Sequence, residues 1–344
     1  MDSTRPLHIG IMGAGSIGCY VGGRLAADAM TQVTFVGRAS LAEEIQRHGL
    51  TLREFDYDEH VDASKIHFET DARALASCDV VLVCVKSGAT ADAARALAQA
   101  LDAKAIVVSL QNGLRNSPLL HERLPRNRVV AGVVGFNVVM KDGAVVHHTT
   151  TGPLILETKN TPDDRAWVRA LSSAGIEVEE VDDIAPERWA KLLVNLNNAV
   201  SALSGAPTRE MILSRRYRQV MTMMLDEALE VLDAAGIRPA KFRGVPHRLM
   251  SFILKRPTPI VRVVVRAQLR VDPESRASMW QDLERGRLTE VDFLNGEIVL
   301  LAAAHSMDAP LNRRLVELVH DAERAGTGCP RMHADALLRA LQPD

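Results

Sequence analysis

The chain of 344 residues has little cysteine, no surplus of basic charge and no long apolar run. Its four cysteines, Cys19, Cys78, Cys84 and Cys329, form no CxxC pair and no metal-ligand spacing, which argues against a zinc or dithiol centre. Lys and Arg total 41 against 43 Asp and Glu, a net charge of −2, so a general nucleic-acid binder is not expected. Apolar runs such as Val80 to Val85 fall far short of the roughly 20 residues that span a bilayer. No charged-then-apolar leader precedes the first strand, because Arg5-Pro6 leads directly into it, and the expected location is the cytoplasm. What remains is an ordinary soluble composition, 47% apolar and 24% charged, at a length that suits two domains.

The stretch Ile9-Gly10-Ile11-Met12-Gly13-Ala14-Gly15-Ser16-Ile17-Gly18 organises what is there. A short apolar strand, Leu7 to Met12, runs into Gly-x-Gly-x-x-Gly, and an apolar-faced helix follows through Tyr20, Val21, Leu25 and Ala29. In a dinucleotide fold Gly13 permits the tight turn, Gly15 lets a pyrophosphate approach the backbone, and Gly18 lets helix and strand pack closely. The helix start then offers free N–H groups and a positive dipole end to phosphates. A bare glycine cluster also occurs in tight turns that bind nothing, but the strand before and helix after favour a dinucleotide.

The second strand, Gln32 to Val36, ends at Gly37-Arg38. An NAD-selective fold would place an acid at this strand end, yet none appears before Glu43. A guanidinium at Arg38 suits the 2′-phosphate of NADP; the plainer reading is a surface arginine in a turn. Residues 41–48 form a helix closed by Gly49, and residues 50–70 read as an antiparallel excursion. Cys78 to Val85 is a strand buried on both faces, with Cys19 and Cys84 as small packing residues. A helix over 89–101 follows, then a strand from Ala105 to Leu110. Lys86-Ser87-Gly88 and Gln111-Asn112-Gly113 stand at the carboxyl ends of these strands, where open α/β sheets bind ligands. Alone, Lys86 or Asn112 reads as a turn residue; together they become site candidates. Another strand runs from Val129 to Val134, and segments around Phe136–Met140, Ala144–His148 and Leu154–Glu157 are expected to close the sheet antiparallel. His147 and His148 are adjacent on one strand and so make a poor metal pair. A helix from Asp163 to Ala174 and a strand from Glu177 to Val181 complete this half, with a boundary at Asp182-Asp183.

Beyond Pro186 strand signals nearly vanish. Residues 187–204 predict one buried helix whose Glu187, Lys191, Asn195 and Asn198 make a polar stripe. Such a stripe faces a wet cleft, or is satisfied within its own domain or by solvent. A long helix over 218–235 is capped by Gly236. Residues 238–276 are basic, with Arg262, Arg266 and Arg270 at four-residue spacing, more consistent with a solvated face than with a phosphate surface. Thr289 to Gly296 opens a further helix, with Thr289 and Asp292 close to a capping box, so Glu290 alone reads as an exposed first-turn acid. A last helix, Pro310 to Arg324, precedes a loose tail.

With these residues assembled, the chain resembles the ketopantoate reductase (2-dehydropantoate 2-reductase) family, from the first strand to about Gly328. The resemblance rests on the glycine loop, Val85-Lys86, Gln111-Asn112-Gly113, Trp189-x-Lys191-Leu192-x-x-Asn195, Ser278-Met279-Trp280-Gln281-Asp282, and Thr289-Glu290-x-Asp292-x-Leu294-Asn295-Gly296. It implies an α/β N-terminal Rossmann domain with a doubly wound, mostly parallel sheet over residues 1–182. It further implies an all-α substrate and catalytic domain over 183–344, with the site in the cleft between them and closure on binding. By that resemblance Lys191 is the general acid and Glu290 its acidic partner, while Asn195, Ser278 and Asn112 bind substrate. Gly13, Ala14, Gly15, Ser16, Ile17, Gly18, Arg38, Lys86 and Asn112 would hold NADP(H). Three departures stand out: Ala199-Val200 replaces a second Asn followed by Pro, Ala89 replaces a Gln, and the basic segment is long. The first two touch the expected cleft and so bear on the substrate more than on the reaction.

The activity implied is NADPH-dependent reduction of 2-dehydropantoate to (R)-pantoate, a step of pantothenate and coenzyme A synthesis. Hydride delivery to a ketone leaves charge on oxygen, which Lys191 would protonate if burial or a cationic neighbour tunes it. No metal is required. The alternatives are reduction of another 2-oxo acid on the same scaffold, or a non-catalytic NADP-binding redox sensor, which would need none of Lys191, Asn195, Ser278 and Glu290. The expected partner is a small 2-oxo acid, with neither nucleic acid nor membrane, and a homodimer is compatible with the resemblance.

Overall fold

A computed structural model describes residues 5–28, 30–159, 161–264 and 277–341. The chain divides into two compact units, one ending at Ile184 and one beginning at Ala185. Ala29, Arg266 and Arg270, singled out above, lie outside the described residues.

The first unit is built on strands buried from both sides. It runs β1 (Leu7–Met12), α1 (Ser16–Ala27), β2 (Thr31–Val36), α2 (Ala39–His48), β3 (Leu50–Arg53), β4 (Asp58–Val61), β5 (His67–Glu69), β6 (Val80–Val83), α3 (Thr90–Ala100), β7 (Ile106–Ser109), α4 (Asn116–Arg123) and β8 (Arg128–Val134). It then continues through β9 (Asn137–Lys141), β10 (Val145–Thr150), β11 (Leu154–Glu157), α5 (Pro162–Ser173) and β12 (Val178–Val181). Eight strands form one sheet in the order β12-β11-β8-β7-β6-β1-β2-β5. Every pairing is parallel except β11 against β8. Along β6, Val80 and Leu82 join the core beneath α1 and α5, while Val81 and Val83 join the core beneath α3 and α4. That two-sided burial is why the strand reads as an unbroken apolar run. The result is an open, doubly wound α/β sheet.

Residues 50–70 and 136–148 do not all follow the expected pattern. β5 joins the main sheet beside β2, parallel. β9 and β10 leave it and pair with β3 and β4 in a separate four-stranded sheet of order β4-β3-β10-β9, in which β10 and β3 run parallel. The physical reason is α1, whose two faces both need covering. A Cβ at Gly22 would strike Phe35 of the main sheet at 2.4 Å or more, and one at Gly23 would lie 2.7 Å from Leu50 of the small sheet. Two adjacent glycines therefore let α1 sit between the sheets. A buried cluster reinforces the small sheet: Tyr20 donates to Glu54 at 2.8 Å, and the other carboxylate oxygen of Glu54 meets His148 Nδ1 at 2.7 Å.

The second unit is helical. It comprises α6 (Ala185–Asn195), α7 (Asn197–Ser204), α8 (Thr208–Leu213), α9 (Arg215–Ala234), α10 (His247–Leu254), α11 (Thr258–Val264), α12 (Ser278–Glu284), α13 (Asn295–Ala304), α14 (Pro310–Ala325) and α15 (Ala334–Ala340). α9 fills the core with Val220, Met224, Ala228, Val231 and Leu232. Its Arg218 is 1% exposed and donates to the Ile212, Leu254 and Arg256 carbonyls at 2.9, 2.8 and 3.2 Å. It thus satisfies chain ends that would otherwise be orphaned acceptors.

Three expectations need correction here. The single helix over 187–204 is broken at Leu196, because Asn197 turns its amide onto the Val194 carbonyl at 3.2 Å and competes with the backbone ladder. The helix expected to open at Thr289 begins at Asn295, after a 3₁₀ turn over Val291–Phe293. The Thr289 hydroxyl accepts from Val291 N–H at 3.2 Å, while Asp292 meets His320 at 3.1 Å rather than completing a capping box. The tail is not loose: Met332 N–H donates to Leu203 O at 2.8 Å, and Leu337 of α15 is fully buried.

α5 supplies a stability test. Thr161 and Asp164 form a reciprocal capping box, and the buried Asp164 carboxylate takes Arg128 at 2.7 Å. Burial alone would push Asp164 up, but the hydrogen bonds from Arg128 and Thr161 outweigh it and hold the carboxyl below its ordinary 3.8. A depressed folded value stabilises above the unfolded value and is lost as pH falls through the folded one. Asp164→Asn should therefore cost roughly 2–3 kcal/mol at pH 7. Urea unfolding should show the gap closing below about pH 3.8; a gap independent of pH would refute the assignment.

Candidate active site

The glycine loop is held by one acceptor. Gly13 and Ala14 both donate to the Val36 carbonyl at 3.0 Å, and Cys84 N–H donates to Met12 O at 2.8 Å, so the ends of β1, β2 and β6 converge on the loop. β1 lies between β2 and β6, and from it the chain winds to both sides, which makes this the switch point of the sheet. Gly13 has φ +102°, and a Cβ there would lie 2.6 Å from Val85 N; a Cβ on Gly18 would run into the Gly13 carbonyl. Packing alone demands these two glycines. Gly15 differs: nothing lies within 4 Å of its absent Cβ, and its φ of −102° suits any residue. No fold contact accounts for Gly15, whereas a pyrophosphate lying on the loop would. No side chain caps α1, so its first N–H groups remain presented to a ligand. These residues fit a dinucleotide.

Around the loop, Ile17 is half-buried, and Ser16 accepts from Met140 N–H at 3.1 Å, tying the loop to β9. Arg38 is exposed at the N-cap of α2, just past β2. Lys86 is exposed and Asn112 half-buried, at the ends of β6 and β7, which pair with each other. A side-chain network that sequence reasoning missed joins these two ends. Gln111 donates to Val85 O at 3.0 Å and to Thr90 Oγ1 at 2.7 Å, and the Thr90 hydroxyl donates to Asn116 Oδ1 at 2.9 Å. Asn116 and Ser87 in turn donate to the Asn112 carbonyl. The signal available was the polar run from 111 to 116 directly after a buried strand.

In the second unit Lys191 and Asn195 lie one turn apart on α6, Lys191 half-buried and Asn195 9% exposed. Ser278 is exposed in the first turn of α12, whose preceding residue Ala277 donates to Ser201 of α7 at 3.4 Å. Glu290 is 6% exposed, which corrects the reading of an exposed first-turn acid. Its loop is folded inward because Thr289 N–H is taken by Glu323 of α14 at 2.7 Å. Asn295, five residues on, donates to Asn312 at 3.0 Å and approaches Leu196 O at 3.5 Å, at the break that follows Lys191 and Asn195. Asn198 lies past that break, and Ala199 and Val200, where the resemblance led us to look for Asn and Pro, are fully buried.

Lys191 carries the clearest electrostatic signature. Burial pushes its ammonium down from 10.5 to about 8, with the positive charge of Arg243 acting in the same direction. Both influences lower the value, and no raising influence from a carboxylate accompanies them. Such a lysine is still mostly protonated at neutral pH, yet releases its proton far more readily than a free one, the tuning a general acid needs. Arg243 was not picked out from the sequence, where it sat inside a basic stretch read as solvated. By contrast, burial pushes the Cys19 and Cys78 thiols up to about 12 and Cys84 higher still, so these three stay protonated at neutral pH.

Comparison with known proteins identifies the family. Residues 9–160 match the family description "Ketopantoate reductase PanE/ApbA", and residues 183–323 match "Ketopantoate reductase PanE/ApbA C terminal". The chain is 31% identical to the 2-dehydropantoate 2-reductase of Halobacterium salinarum over 326 residues, 93% of this chain and all of the relative. A crystal structure of a PanE/ApbA family ketopantoate reductase from Ralstonia eutropha aligns with TM-score 0.79 at 32% identity, covering 93% of this chain and 99% of the other. A D-mandelate dehydrogenase solved with NADH and anilino(oxo)acetate shares the fold, with TM-score 0.76 at 20% identity and coverage of 93% and 99%. The chain therefore belongs to the ketopantoate reductase family of oxidoreductases.

Proposed function

We propose that this protein reduces 2-dehydropantoate to (R)-pantoate with NADPH, serving pantothenate and coenzyme A synthesis, with Lys191 as the proton donor. The observation that carries the reading is the half-buried Lys191, pushed down to about 8 within the motif Trp189-x-Lys191-Leu192-x-x-Asn195. The relatives named 2-dehydropantoate 2-reductase support the substrate. Residues 1–182 hold the nucleotide and residues 183–344 supply the acid and the substrate groups.

The nicotinamide cofactor would supply the hydride. Gly13 to Gly18 would hold the pyrophosphate and Arg38 the 2′-phosphate. Lys86 and Asn112 serve at the neighbouring strand ends, with Asn112 also reaching substrate. Asn195 and Ser278 orient the oxo acid, and Glu290 positions Lys191. As the carbonyl carbon gains hydride, the C=O π pair moves to oxygen, and Lys191 Nζ gives that oxygen a proton. The neutral amine left on Lys191 is reprotonated from water. A second reading, another 2-oxo acid, draws support from Ala199, since that buried methyl offers no polar group for a hydroxyl of the substrate.

A panel of 2-oxo acids followed by NADPH absorbance decides between these readings. Oxidation of NADPH fastest with 2-dehydropantoate supports the first; preference for another oxo acid supports the second; binding without turnover would mean a redox sensor instead. Lys191→Ala should lower kcat at least about 10²-fold with little change in NADPH binding. Wild-type activity should fall as pH rises through about 8, where Lys191 loses its proton. Near-normal turnover in Lys191→Ala would place the proton donor elsewhere.

Two further outcomes follow for the cofactor. Arg38→Asp should weaken NADPH at least about tenfold while sparing NADH, because a carboxylate then faces the phosphate. Equal use of both cofactors by the unmodified protein would contradict this. Gly15→Val should leave the melting temperature unchanged, since nothing lies within 4 Å of the Cβ position. It should nonetheless weaken NADPH at least about tenfold by filling the pyrophosphate seat; unchanged affinity would count against the loop.

A further inference from the structure

The turn between α9 and α10 carries a feature that neither the resemblance nor the site motifs contain. Residues Phe242 to Val245 close on themselves, Phe242 N–H to Val245 O at 3.0 Å and Val245 N–H to Phe242 O at 2.9 Å. Both central residues have positive φ, Arg243 at 50° and Gly244 at 77°. This is the pattern of a primed two-residue turn, whose first position favours Gly, Asn or Asp. An arginine held there is disfavoured locally, and backbone of this kind persists where the surroundings fix it and is concentrated at working sites. Here the surroundings do fix it. Ala240 N–H donates to the Pro186 carbonyl at 3.0 Å, fastening the turn to the first residues of the helix that bears Lys191. The buried His247 ring meets the Ala240 backbone from the other side. The Arg243 guanidinium lies over the Phe242 ring, 5.7 Å from its centre, and is itself exposed.

We propose that Arg243 binds the carboxylate of the 2-oxo acid and so places its ketone against Lys191. The inference rests on the reduction proposed above and names the residue that selects for an acid over a neutral ketone. The Ala240–Pro186 bond holds the Arg243 turn against the start of the helix that bears Lys191, and the charge of Arg243 is felt at Lys191. The cation therefore stands within electrostatic reach of the proton donor, on the side where a carboxylate next to the reacting carbonyl could bind. A planar guanidinium offers a carboxylate two parallel N–H donors, giving direction as well as attraction. The other charged residues near Lys191 in sequence or on the connection between α9 and α10 are Glu187 and Arg188 on α6, Arg238 and Lys241 on the connection, and Glu290 by assignment. Arg243 is the cation among them whose field registers at Lys191.

The test uses oxamate, an unreactive carboxylate with an adjacent carbonyl, titrated into the full-length NADPH-loaded protein by calorimetry, beside steady-state kinetics. Arg243→Gln should weaken oxamate and raise KM for the best-used 2-oxo acid by at least about tenfold, with NADPH affinity and melting temperature unchanged. It should also move the alkaline limb of the activity profile to higher pH, because a cation that lowers Lys191 has been removed. Arg243→Lys should restore the position of the limb and part of the affinity, a rescue that a purely structural role would not give. Arg243→Gln binding oxamate as the wild type does, with an unmoved limb, overturns the inference, as does a wild type that reduces a 2-oxo acid but ignores oxamate. Oxamate bound through Arg243 in a protein that reduces no 2-oxo acid would instead uphold this site and overturn the proposed reaction.

Discussion

The carbonyl of Val36 is the acceptor on which the nucleotide half of the molecule turns. By taking the N–H groups of both Gly13 and Ala14, it pulls the first loop across the end of β2 and aims the start of α1 over the sheet's switch point. The features that would let the loop seat a phosphate follow from that position. The strand ends of β6 and β7 gather beside it, where Gln111 bonds to the Val85 carbonyl and to Thr90, and Thr90 bonds to Asn116. The helix leaving the loop must then pass between two sheets, and the adjacent Gly22 and Gly23 are what make that passage narrow enough to pack. A side chain at either position would have to displace Phe35 or Leu50, so the small sheet and the main sheet are positioned by the same helix that serves the ligand.

The helical unit solves a different problem, that of polar groups inside an apolar bundle. Burying an amide or a charge is tolerated only when it is bonded. Glu227 accepts from the Leu311 and Asn312 N–H groups at the start of α14 and from the Asn312 amide, while Asn312 also accepts from Asn295. A carboxylate at a helix start is favoured by the dipole as well as by the bonds. This chain of contacts runs from α9 through α14 to the first residue of α13, and so fixes the segment that begins at Glu290. Arg218 performs the corresponding task for the ends of α8 and α10.

How far this was legible in the sequence differs by element, for physical reasons. β6 and β7 could be read because burial on both faces leaves continuous apolar runs, Val80 to Val83 and Ile106 to Val108. The glycine loop could be read because its steric demands admit few substitutes. The four-stranded sheet was misassigned because β3, β9 and β10 alternate like any edge hairpin, and nothing local says which sheet they join. The break at Leu196 hinged on one asparagine choosing a carbonyl over solvent. Glu290 was misread since its neighbours mimic an exposed helix start, and its burial is imposed by Glu323, far along the chain. Arg243 escaped notice because a long basic stretch hides any single cation, and its turn signal, Arg-Gly, is weaker than Asn-Gly.

On the assignment proposed above, the charge that Arg243 exerts on Lys191 also bears on why the site would suit an acid. Two cations near each other, one of them desolvated, repel, and the lysine responds by holding its proton less firmly. A neutral ketone would leave that repulsion in place. On the proposed assignment, a 2-oxo acid would bring a carboxylate that neutralises Arg243, removing the smaller of the two influences that depress Lys191 while burial remains, and so would leave the lysine better protonated in the complex than in the free protein. The carbonyl oxygen then develops charge next to an ammonium whose proton is poised for transfer, and the substrate's own charge has helped to keep it there. On this assignment recognition and catalysis share one electrostatic circuit: the anion that identifies the substrate is also what sustains the acid that completes its reduction.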